Sequence, residues 1–256
     1  MITLEVFNTF LIVMAAIAVF VFIALFFVEA GYGYLFNPKY GRPIPNKIGW
    51  VLMESPVFIA MMVLWWLSDV RFEAVSIVLL LIFQTHYFQR SFIFPMLLRG
   101  NSKMPAGIVL MGATFNTLNA LMQGGWIFYL APQQGYYDDW FSKPYIYIGA
   151  LVFLVGFFIN LQSDYIIRHL RKEGDTRHYI PKGGMFRYVS SANYFGEFTE
   201  WVGFAIASWS WAGVVFAWWT FANLAPRANS LYKRYEREFG DEFTQLKRKR
   251  IIPFIY

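Results

Sequence analysis

An all-helical protein that crosses a membrane seven times is what this sequence predicts, and three observations predict it. Only 15% of its 256 residues are charged and 57% are hydrophobic, with a mean hydropathy of +0.41; soluble domains carry about 25% charged residues. Aromatic residues make up 21% of the chain, a share suited to lipid and to the membrane–water interface. The few charges gather in blocks between uncharged runs, many of them close to the ~20 residues a helix needs to cross the hydrocarbon core.

Taken in order, the runs predict spans at Val6–Val28, Ile48–Ser68, Ala74–Leu98, near Pro105–Leu130 and at Pro144–Ser163. The fifth continues into a polar helix from Asp164. Between Tyr188 and Pro226 the only charges are Glu197 and Glu200, a stretch too long for one crossing. Splitting it at Ser208–Gly213 predicts a sixth helix near Ser190–Ala207 and a seventh from Trp211. Cations fill the odd loops and the tail: Lys39, Arg42 and Lys47, then Arg90, Arg99 and Lys103, then Arg168 to Arg187, then Arg227 to Arg250. Even loops hold few, so the positive-inside rule puts the N-terminus outside and the C-terminus in the cytoplasm. The tail Arg227–Arg250, with Leu231, Tyr232, Tyr235 and Phe239 interspersed, is expected to continue the last helix or lie on the membrane surface.

The chain shows no internal repeat or long linker and is read as one domain, 1–256. The net charge of +6 sits in those loops, which points to a membrane rather than nucleic acid. The absence of cysteine excludes thiol catalysis and thiolate metal sites. No Lys or Arg precedes the first apolar run, so that run is expected to be a retained span and not a cleaved signal.

Ionisable residues inside spans are costly and mark function unless they satisfy a neighbouring helix. Glu54 stands alone in the second span, and Gln84-Thr-His86-Tyr87-Phe-Gln-Arg90 is a polar segment within the third. Glu54 and Tyr87 lie on helices joined by a short connection, so carboxyl and phenol can meet as a proton-donating pair. His86 has no second ligand at metal spacing, and no metal is expected. Asn160, Asp164, Arg168 and Arg171 fall on one face of a continuous helix, as do Asn193, Glu197 and Glu200. Facing each other, the two stripes would build a wet, charged cavity. Between them, Pro181-Lys-Gly183-Gly184 allows close backbone approach to a ligand, while neither a Rossmann nor a P-loop pattern is present.

These segments, with Ile180-Pro-Lys-Gly-Gly-Met-Phe186, the ending Ile252-Pro-Phe-Ile-Tyr256, and Gly31-Tyr32-Gly33 and Glu54-Ser-Pro56 in the first half, resemble the steroid 5α-reductase family over nearly the whole chain. The resemblance implies an NADPH-dependent reductase that saturates the Δ4 bond of 3-oxosteroids. It implies a substrate pocket mainly from residues 1–130 with Glu54 and Tyr87 at the 3-oxo group. The cofactor site would come mainly from 144–256: Asn160, Asp164, Arg171, Asn193, Glu197, Glu200, Arg227 and Tyr235, with Tyr32 from the first loop and Arg168 from the same stripe. The family pattern is departed from at Leu98, Asn101 and His178. Rival readings are a reductase of another enone, enoyl thioester or polyprenyl lipid on the same fold, an isoprenylcysteine-type methyltransferase, and a sterol-binding protein without activity. A monomer in a bacterial inner membrane is expected, or in the endoplasmic reticulum for a eukaryotic chain.

Overall fold

The structure is a computed structural model and describes residues 3–28, 38–100, 102–172, 175 and 177–256. Tyr32, its flanking glycines and Asn101 lie outside the described residues. The chain is mostly helical: α1 (Leu4–Ala24), α2 (Asn46–Trp66), α3 (Ala74–Phe88), α4 (Phe94–Leu97), α5 (Ala106–Gly124), α6 (Pro144–Arg168), α7 (Ala192–Ser208), α8 (Trp211–Phe239) and α9 (Asp241–Thr244). Two short strands, β1 (Pro43–Pro45) and β2 (Lys103–Pro105), pair antiparallel and tie the first loop to the third. Among the described residues four helical segments are long and apolar enough to cross a membrane: Leu4–Ala24, Asn46–Trp66, Ala74–Leu97 and Pro144–Arg168. Their outer faces are apolar and bare, with Phe20 72% exposed, as a lipid-facing surface requires.

Two wide π turns interrupt the helices, and each is followed by a proline. Gln89–Ile93 joins α3 to α4, where Pro95 has no N–H to give the Ser91 carbonyl. Gly125–Leu130 extends α5, and Pro132 leaves the Phe128 carbonyl free of a helical donor. The Ser68 hydroxyl donates to that carbonyl at 3.0 Å. The expected break between the last two spans is present, with Trp209 in the left-handed region at φ 40° and Ser210 capping α8 through Gly213 N.

The closest helix pair is α6 with α7, and four glycines make it so. Gly149 and Gly156 on α6, and Gly196 and Gly203 on α7, recur at seven-residue intervals that keep them on the shared face. A Cβ on any of them would fall 2.2–2.5 Å from a backbone nitrogen of the facing helix. The backbones therefore touch along their length, and Asn160 Nδ2 donates to the Asn193 carbonyl at 2.9 Å. Beside this pair an aromatic core of Phe83, Tyr87, Trp201, Phe204 and Phe216 fills the interior.

Two expectations are corrected. The stripe on α6 ends at Arg168, because the chain leaves the helix at His169, whose ring meets the Tyr165 carbonyl at 2.7 Å. Arg171 is thus exposed beyond the helix rather than on its face. The basic tail follows α8 only to Phe239 and then folds back. Lys249 pairs with Tyr188 and Ser190, Arg248 Nη1 donates to the Pro181 carbonyl at 2.8 Å, and Arg250 Nε donates to Asn229. Its arginines are structural as well as cationic. In the α6–α7 connection, Arg177 and Tyr179 donate to Asp175 and hold its carboxyl below the usual carboxylate range.

Replacing Gly156 or Gly203 by alanine should separate α6 from α7. Overpacking of this kind costs ~1–3 kcal/mol, and thermal unfolding of the detergent-solubilised protein should show the lower midpoint.

Candidate active site

The π turn after α3 aims Arg90 into the bundle. Its guanidinium donates to Asp164 on α6 at 2.9 Å and to Glu197 on α7 at 3.0 Å, with the arginine side chain only 7% exposed. Trp50 and Phe94 cover its faces at 4.9 and 4.5 Å. A buried cation is tolerable when it is both paired and hydrogen-bonded, and one carboxylate from each of two glycine-locked helices achieves that here. One turn earlier, His86 Nδ1 and Glu200 Oε1 share a hydrogen bond at 2.8 Å, with the carboxyl side chain wholly buried. The His86 ring packs edge-on against Trp201 at 4.6 Å and lies 5.0 Å from that of Tyr87.

Glu54 and Tyr87 are arranged differently from a direct contact. Among the described residues Glu54 and Tyr87 share no hydrogen bond; α5 serves both. Asn116 Nδ2 donates to the Met53 carbonyl at 2.8 Å and to Glu54 Oε2 at 2.9 Å. Asn119 Nδ2 donates to the Tyr87 hydroxyl at 3.0 Å. Gln123 Nε2 donates to Asn119 Oδ1 at 3.3 Å and to the Ala212 carbonyl at 2.9 Å. Arg90, Glu197 and His86 are the charged and titratable neighbours of Glu54, so all these groups form one electrostatic cluster.

Of the sequence-derived site residues, the structure brings Glu54, Tyr87, Asp164, Glu197 and Glu200 together around Arg90 and His86, with Asn160 and Asn193 adjoining at the α6–α7 contact. Arg168 is half-buried at the end of α6, near enough to Asp164 to act on its charge. Arg227 is buried under Tyr194 at 5.9 Å. Tyr235 packs on Phe239 and Phe243, and its charged neighbours are Arg248, Glu238 and Arg234 rather than the cluster. The α5 amides were missed, although Asn116, Asn119 and Gln123 at i, i+3 and i+7 in an apolar helix carry the same signal as the other stripes. Arg90, counted by the sequence among the loop cations as well as in a polar segment, is instead buried and paired inside the bundle. Around the cluster, Ser163 Oγ, Ser191 Oγ, Gln89 Oε1 and Glu200 Oε2 are buried with no hydrogen-bond partner among the described residues. A groove of about 1100 Å³ lies on another face, between α2, α3 and α6, and includes neither Glu54 nor Tyr87.

Ionisable groups buried inside a bundle of membrane-type helices mark a candidate active site in a membrane protein. Comparison with known proteins gives the same answer in finer form. The 3-oxo-5-alpha-steroid 4-dehydrogenase family matches residues 102–256. A mouse protein named 3-oxo-5-alpha-steroid 4-dehydrogenase 1 is 40% identical over 241 residues, covering 91% of each chain. Its human namesake is 40% identical over 229 residues, 88% of this chain and 86% of its own. A steroid 5-alpha-reductase of Gossypium hirsutum is 35% identical over 258 residues, 98% of this chain and 97% of its own. The chain belongs to the steroid 5α-reductase family, whose members are oxidoreductases acting on CH–CH bonds.

Removing Arg90 would strand the buried Asp164 carboxylate and the half-buried Glu197. Breaking a buried ion pair from one side costs ~3–5 kcal/mol, so Arg90→Leu should unfold at much lower temperature than the wild type, which a melting curve reads directly.

Proposed function

We propose that this chain reduces the Δ4 double bond of 3-oxosteroids to 5α-3-oxosteroids, with NADPH as the reductant. The observation that carries this is the pairing of Glu54 and Tyr87 with the α5 asparagines. A carboxyl and a phenol are each held by a neutral amide, in an apolar interior, beside a cluster able to receive a polar cofactor. The enone is electrophilic at C5 only when its carbonyl is polarised. Tyr87 donates a hydrogen bond to the 3-oxo oxygen, with Glu54 beside it, and stabilises the negative charge that develops there. NADPH, when bound, supplies the hydride that C5 receives. The C4=C5 electron pair moves to give an enolate, C4 takes up a proton and the carbonyl re-forms. The apolar spans exclude water and align the reacting atoms.

The residues fit a nicotinamide cofactor. The unpartnered Glu200 Oε2, Ser163 Oγ and Ser191 Oγ are buried polar atoms that need hydrogen-bond partners. Asn160, Asn193, Asp164, Glu197 and Glu200 would hold the polar headgroup, and Arg168, Arg171 and Arg227 would serve the phosphates, with Tyr32 and Tyr235 completing the site. Substrate pocket and cofactor site would then fall mainly in residues 1–130 and 144–256 of one domain.

We read seven spans with the C-terminus in the cytoplasm. The β1–β2 pairing keeps two cationic loops on one side. Trp66, Trp209 and Trp211 are exposed at the opposite helix ends, as an interfacial aromatic belt would be. The remaining spans are α5 with its π turn, the 17-residue α7, and the first half of α8.

The test is purified protein with NADPH and testosterone or progesterone, products identified by mass spectrometry. A 5α-reduced, NADPH-dependent product is expected. Cofactor binding without steroid reduction would move the substrate to another enone; no binding would overturn the reductase reading. Tyr87→Phe should lose ~100-fold or more in turnover, the scale of a missing proton donor, while still binding NADPH. Asn160→Ala should weaken NADPH binding with little effect on steroid KM, which fluorescence titration and steady-state kinetics separate.

A further inference from the structure

Tyr87 has one proton to donate, and nothing in its own residue type decides where that proton points. The amides of α5 do. The Ala212 carbonyl can only accept a hydrogen bond, so the group of Gln123 that faces it at 2.9 Å is the nitrogen. The same nitrogen reaches Asn119 at 3.3 Å, which makes the facing Asn119 atom the oxygen. Asn119 must then turn its nitrogen to the Tyr87 hydroxyl, 3.0 Å away. Oη accepts from Asn119, and its own hydrogen remains to be donated elsewhere. The orientation holds although it leaves Gln123 Oε1 buried without a partner among the described residues. Asn119 and Gln123 are 0% and 1% exposed, so water does not compete with the chain of bonds.

We infer that Gln123 and Asn119 are positioning residues that set the direction of the Tyr87 hydroxyl, from a backbone carbonyl of α8 through two amides to the phenol, so that it faces the substrate as a donor. In this role both act through Tyr87 rather than on the reacting atoms. The inference rests on the proposed role of Tyr87. Removing Gln123 leaves Asn119 free to turn over and accept the tyrosine proton itself, which takes the donor away from the carbonyl. Removing Asn119 leaves the hydroxyl without an orienting donor.

The experiment is a pair of double-variant cycles on the full-length protein. Asn119→Leu and Gln123→Leu are each made alone and together with Tyr87→Phe, with kcat, KM, NADPH affinity and thermal midpoint measured for all. In the wild-type background each should lower kcat ~10-fold, the scale of one lost hydrogen bond, with steroid KM and NADPH affinity nearly unchanged. In the Tyr87→Phe background neither should lower kcat further, because there is no hydroxyl left to orient. Losses of equal size in both backgrounds, or losses that follow the thermal midpoint, would overturn the inference and leave the role of Tyr87 intact. A fully active Tyr87→Phe would instead remove the role of Tyr87 on which the inference rests. Should Asn119→Leu fail to fold, the Gln123→Leu cycle decides alone.

Discussion

The structure depends on one buried cation. Arg90 leaves α3 at a π turn and meets a carboxylate from α6 and another from α7. Inside an apolar bundle the guanidinium would be very costly alone, and so would Asp164 and Glu197 without it. The three together fix how the first half of the chain docks on the second. That docking is possible because the glycines of α6 and α7 let the two backbones touch. Asp164 and Glu197 then lie close enough to share one arginine.

Around this centre the polar interior divides in two by chemistry. Toward α6 and α7 the groups are charged or end in unpartnered oxygens, the character expected where a polar, phosphate-bearing ligand enters. Toward α2 and α5 they are neutral amides that hold a carboxyl and a phenol. Amides are well suited to that task within a membrane, since they supply donors without adding charge. His86 stands at the boundary, bonded to Glu200 and packed against Tyr87 and Trp201, so the charged and the amide-held groups share a wall. Under the function proposed above, this division would put the reductant on one side and the enone on the other.

The C-terminal tail shows how a protein poor in charge uses the charges it has. Arg248 and Arg250 anchor the returning tail to the Pro181 carbonyl and to Asn229. Lys249 backbone atoms pair with the segment leading into α7. The tail thereby braces the helix that carries Asn193, Glu197 and Glu200, which ties the end of the sequence to the candidate site.

The sequence by itself determined the membrane class, the helical ends near Trp66, Leu97 and Ser208, and which residues are polar where lipid would forbid it. Those follow from composition and periodicity, which are local. It placed Glu54, Tyr87, Asp164, Glu197 and Glu200 in the interior for the same reason. The glycines at seven-residue spacing and the amides of α5 were equally present in the letters, but their meaning depends on which helices face each other. Only the tertiary structure decided that Arg90 joins the two halves, that Glu54 and Tyr87 meet through Asn116 and Asn119 rather than directly, and that Arg171 falls beyond its helix. Partnership between groups dozens of residues apart is set by packing in three dimensions, and no local pattern encodes it.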